Sequence, residues 1–180
     1  MIARLGVLVL LTGCLSVGGG AAVNAAITDS PVRRVGGQVH LGSFTEIVRD
    51  RLVGQLFYQR DLGALGDRSS SIGMWGARVT SLPHAGLPGF YLTGAWGEND
   101  AVGEPESSSV LVGAGVSYSM IRPTTYARTW TGISLGVVLR RCRQDMIDDG
   151  EPGYFLGLEL GLTAGLDVLG PMFSSTDDGE

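Results

Sequence analysis

The residues able to do chemistry in this 180-residue chain are few: two histidines, two cysteines, and scattered carboxylates and arginines. His84 lies in Pro83-His84-Ala85-Gly86 and reads as a solvated turn residue. His40 shares an alternating segment with Gln38, but Leu41 and Gly42 follow it, so no nucleophilic hydroxyl stands two residues on. Asp148, Asp149 and Glu151 surround Gly150 without the spacing of a calcium loop and describe a solvated acidic loop. Cys142 stands beside Arg140, Arg141 and Arg143, which favour a thiolate, yet no second thiol or base accompanies it. The glycines alternate along strand-like segments instead of joining a strand to a helix, so they form no phosphate loop. What remains is a charged set, Asp61, Arg78, Arg140, Glu159 and Asp167, on the polar faces of alternating segments. Enclosed together, such charges must pair. Arg78 and Arg140 are the expected partners of the three acids, and their expected chemistry is structural. No catalytic residue, metal or cofactor is expected.

Composition narrows the setting. Charged residues make up 17%, below the roughly 25% of soluble domains, and the 29 glycines far exceed the usual share of about 7%. All 13 basic residues are arginine, and the net charge of −5 leaves no basic face for nucleic acid. At this length one domain is expected.

Near the start, Arg4 precedes the apolar run Leu5 to Leu11, about a third of what a membrane-spanning helix needs, as in the core of an export signal. The run ends in Leu11-Thr12-Gly13-Cys14, which resembles the lipobox of bacterial lipoproteins. That resemblance implies a signal peptide over 1–13 and a fatty-acylated (palmitate-type) Cys14 as the mature N-terminus. Leu15 in the next position implies transport to the outer membrane. The alternative is ordinary signal cleavage after Val23-Asn24-Ala25, which carries small residues at the two positions that enzyme reads. Either route exports the chain.

From about residue 35 the dominant period is two, the period of a strand. In 154–168, Tyr154, Leu156, Leu158, Leu160, Leu162, Ala164, Leu166 and Val168 share one face. Phe155, Gly157, Glu159, Gly161, Thr163, Gly165 and Asp167 share the other. Segments 109–120 and 132–140 repeat this pattern, and 35–44, 52–62, 72–82 and 89–97 do so more weakly. Ser43-Phe44-Thr45-Glu46 has capping-box form, so a short helix over 44–52 competes there. Seven strands follow from these segments. Leu15, Val17, Val23 and Ile27 alternate with small residues and supply an eighth candidate within 14–34, a stretch otherwise readable as a lipid-anchor tether.

The second face is mostly glycine and serine, a poor solvated surface but a fitting lining for a narrow barrel whose apolar face meets lipid. Trp75, Tyr91, Trp96, Tyr118, Trp130 and Tyr154 lie near strand ends and read as interfacial girdles. Polar stretches 63–70, 98–108 and 142–153 read as long links, and 83–88 and 122–127 as short ones. The alternating strand Tyr154-Phe155-Leu156-Gly157-Leu158-Glu159-Leu160 resembles strands of small bacterial outer-membrane barrels. From this follows an all-β, single antiparallel up-and-down barrel of about eight strands over 35–173, with an acidic tail at 174–180. The resemblance implies an outer-membrane location, membrane lipid as partner, and an envelope protein or hydrophobic ligand as a further one. A soluble periplasmic barrel is the competing placement, and a lipid-modifying enzyme the least favoured activity.

Overall fold

Alternation of side chains builds all eight strands of the computed structural model, which describes residues 14–27, 33–65, 68–85, 87–99, 107–123, 127–144 and 153–167. The strands are β1 (Cys14–Ala26), β2 (Arg33–Val48), β3 (Leu52–Leu65), β4 (Arg68–Ser81), β5 (Gly89–Asn99), β6 (Ser107–Pro123), β7 (Arg128–Gln144) and β8 (Gly153–Asp167). Each pairs antiparallel with its neighbours in sequence, and β8 closes on β1 to complete an eight-stranded up-and-down barrel. Segment 14–26 is therefore the eighth strand, held by ladders to both β2 and β8.

The register fixes the barrel's dimensions. Ser16 pairs with Gly42, and the row continues through Phe57, Gly76, Ala95, Leu111, Arg140 and Phe155 to Ala26. One circuit thus returns to β1 displaced by ten residues, from Ser16 to Ala26. Such a stagger over eight strands tilts them by about 40° and leaves an interior that side chains can fill.

One face of every strand points out and one points in. On β8, Leu158 and Leu162 are 61% and 60% exposed while Glu159 between them is 2% exposed. The exposed side continues through Val39, Leu41, Leu56, Leu92, Val112, Leu135 and Val137 into an apolar belt around the barrel. Inside, Phe57, Ile72, Met74, Ala95, Leu111 and Val138 form one apolar cluster, and Cys14, Phe44, Val53 and Trp130 form another.

Several expectations need correction. No helix follows Ser43: β2 runs to Val48, with a bulge between Glu46 and Val48, because Phe44 and Glu46 point inward while Thr45 and Ile47 point outward. A tight turn at 49–51 follows, closed by Arg51 N–H donating to the Val48 carbonyl at 3.0 Å, with Asp50 left-handed at φ 56°. The expected contrast of long and short links holds for 145–152 against 124–127 but fails elsewhere. The ladder of β3 and β4 runs to Leu65↔Arg68, leaving only 66–67 where 63–70 was expected, while 82–88 is as long as 100–106. The calcium-like residues Asp148, Asp149 and Glu151, the signal segment 1–13 and the tail 174–180 lie outside the described residues.

Candidate functional site

The interior side chains gather into a cross-linked column, and its middle is Arg78. This residue shares its face of β4 with Met74, Gly76 and Thr80, all buried. Glu159 shares its face of β8 with Gly157 and Gly161, which leave room around it. Four strands apart, β4 and β8 form opposite walls, and Arg78 Nη2 donates to Glu159 Oε1 across the lumen at 3.1 Å. Both side chains are enclosed, 9% and 2% exposed.

A second pair lies nearer the end remote from Cys14. Arg140 on β7 meets Asp61 on β3, again on opposite walls, and both are buried. Gln59 Nε2 donates to Asp61 Oδ1 at 2.6 Å and to Gln38 Oε1 at 2.5 Å, which ties the carboxylate into a glutamine chain. A third pair guards the end where β1 starts and β8 finishes: Arg128 Nη1 donates to Glu46 Oε2 at 2.5 Å. Among the described residues, cross-lumen ion pairs therefore stand at three levels.

Around them the interior is filled by aromatic and amide groups. The Arg78 guanidinium lies 4.6 Å from the centre of the Tyr91 ring. Tyr91 extends from β5 under Gly136 of β7, where any Cβ would overlap its hydroxyl. His40 lies across Gly18 in the same way, and its ring centre is 5.5 Å from that of Phe57. Gln55 Nε2 donates to Ser16 Oγ at 2.9 Å. A cavity with room for about one water separates Arg78, Tyr91, Ser117 and Trp130. Arg78 Nε, the Tyr91 hydroxyl, Ser117 Oγ and Trp130 Nε1 have no protein partner there.

Of the charges singled out in the sequence, Asp61, Arg78, Arg140 and Glu159 are brought together within the lumen. Asp167 stands farther along the same face of β8, at the level of Arg128. It ends β8, opposite Cys14 and Arg128 in the ladders. Cys14 is the first residue of β1, 8% exposed and packed inward with Phe44, Val53 and Trp130. Tyr91 and Trp130, expected in the outer girdles, are each 2% exposed and face the lumen. Trp130 shares its face with Gly132 and Ser134, and Tyr91 with Thr93 and Ala95. Sequence reasoning missed the pair of Glu46 and Arg128, although Glu46 has the same parity as Gln38 and His40 on β2.

Chemically this column can brace opposite walls and block passage along the axis. His40 is seated against Gly18 and Phe57, and its Nε2 has no hydrogen-bond partner. Among the described residues no group of three His, Cys, Asp or Glu side chains is placed to hold a metal ion. No protein-family model matches the chain and no curated protein matches it, so its function rests on the geometry of this barrel alone.

Proposed function

We propose that this chain is a closed barrel spanning a bacterial outer membrane, with a structural or surface-interaction role that involves neither catalysis nor conduction. The observation that carries this reading is the distribution over the two faces: a nearly continuous belt of apolar side chains covers the outside of the barrel, while ion-paired charges are enclosed inside beside two apolar clusters. In water the belt of Leu, Val and Ile would be a severe aggregation surface, whereas in a bilayer it replaces lipid contacts. A soluble barrel binding a hydrophobic ligand would need a hollow apolar interior. Here ion pairs cross the interior at three levels.

The export reading fits the same geometry. Cleavage before Cys14 retains all of β1, whereas cleavage after Ala25 would remove the strand that closes the barrel. Acylated Cys14 would lie at the end of the barrel where β1 starts and β8 finishes. Turning its side chain out of the lumen would disturb only the first rung, Cys14↔Asp167.

The test is membrane extraction of Cys14→Ser, which cannot be acylated. Retention in the outer-membrane fraction through alkaline carbonate, with release only by detergent, is the expected result. Release of folded protein into the soluble fraction would overturn the membrane-spanning reading.

A further inference from the structure

Arg60 interrupts the apolar belt. It lies on the outward face of β3 between Tyr58 and Leu62 and is exposed. Its Nε donates to Ser71 Oγ at 2.8 Å, and among the described residues it has no carboxylate partner. Ser71 lies on β4 two residues beyond Gly73, the register partner of Arg60, in the direction away from Cys14. The guanidinium therefore leans toward that end of the barrel.

Its surroundings are donors and rings. Tyr58 tilts over Gly73, so that its hydroxyl stands where a Cβ of Gly73 would be. The ring stacks obliquely on Trp75, with centres 4.8 Å apart, and Trp75 pairs in register with Trp96 on β5. Three aromatic side chains thus make a ridge on the outer wall, directly on the Cys14 side of Arg60. The terminal nitrogens of Arg60, the Ser71 hydroxyl proton and the Tyr58 hydroxyl all remain able to donate. Glu98 on β5 shares this wall but makes no ion pair with Arg60.

We infer that this cluster is a docking site for the phosphate headgroup of an anionic membrane lipid, in the leaflet remote from Cys14. The inference rests on the membrane-spanning reading. A lone guanidinium on a lipid-facing wall requires a counter-anion, and snorkelling toward the interface brings it to headgroup phosphate. A guanidinium with two adjacent hydroxyls matches the several acceptor oxygens of a phosphate, and the aromatic ridge supports the lipid's upper chain.

The three tryptophans provide the experiment, because Trp75 and Trp96 face outward while Trp130 is sealed inside. The full-length barrel is reconstituted in mixed phosphatidylcholine and phosphatidylglycerol vesicles in which one lipid at a time carries bromine high on its acyl chains. At equal mole fraction, brominated phosphatidylglycerol should quench more strongly, corresponding to about fivefold local enrichment, the factor equivalent to about 1 kcal/mol per arginine near a membrane surface. Arg60→Gln should abolish the preference. Arg141→Gln, an exposed arginine on the opposite wall beside Tyr154, should leave it intact. Equal quenching by the two lipids in the unaltered protein, or a preference that survives Arg60→Gln, would overturn the docking site while leaving the membrane reading in place. Failure of both lipids to quench would overturn the membrane reading itself.

Discussion

Arg78 and Glu159 meet at 3.1 Å across the barrel, from strands on opposite walls and 81 residues apart in sequence. Both side chains are almost fully enclosed, so each charge is a liability without the other. Glu159→Gln or Arg78→Met alone should cost about 3–5 kcal/mol, and the double variant much less than their sum. Arg140 is committed to Asp61, so Glu159→Gln should be additive with Arg140→Met. Double-mutant cycles from urea unfolding of the lipid-reconstituted barrel test this. Additivity with Arg78 would remove the pair as a brace.

The contrast between these two arginines marks what the sequence could convey. The parity of Glu159 with Gly157 and Gly161 placed it inside the barrel, and the same reasoning placed Asp61, Arg78 and Arg140 there. Parity does not say which arginine meets which acid, because partners depend on height along the axis. Height depends on the ten-residue stagger, a property of the whole circuit. Trp130 and Tyr91 stand near strand ends, as girdle residues do, but their parity with Gly132, Ser134 and Thr93 turns them inward. The polar run around Asp67 suggested a loop, yet β3 and β4 carry small and polar residues in an intact ladder almost to their link. Glu46 was hidden by a sequence that also suits a helix cap.

The apolar outer belt predicts a depth-dependent response to charge. Leu160 lies outward midway along β8, and Leu160→Arg should cost roughly 2–4 kcal/mol. Thr45 also faces outward, but near the terminal end of β2, and Thr45→Arg should cost about 0–1 kcal/mol. Thr163 is no suitable control, because it is 9% exposed within the lumen, and arginine there would be enclosed without a partner. Equal unfolding midpoints in lipid for the Leu160 and Thr45 variants would contradict a lipid-facing belt.

The mature N-terminus should be Cys14. Intact-mass measurement of protein purified from membranes should give a chain beginning at that residue with added acyl mass, and Cys14→Ser should lack that mass. A terminus at Ala26 would leave seven strands and exposed edges on β2 and β8, each lacking the partner it has here. A mature chain starting there would refute both the anchor and this barrel closure.

Tyr91 offers a test of what its ring and its hydroxyl each contribute. The ring lies 4.6 Å from the Arg78 guanidinium, on the residue that also binds Glu159, so it helps hold the brace in line. The hydroxyl, by contrast, has no protein partner and presses close over Gly136. Tyr91→Phe keeps the aromatic face and should therefore change stability by less than about 1 kcal/mol. Tyr91→Ala removes both the packing and the cation–π contact, and a loss of about 3–5 kcal/mol is expected for a large buried aromatic. The coupling between Arg78 and Glu159 should persist in the Phe variant and weaken in the Ala variant, because only the latter frees the guanidinium to move. Unfolding in lipid, combined with the Arg78/Glu159 cycle in each background, separates these effects. Equal coupling in both backgrounds would mean that Tyr91 fills space without positioning Arg78.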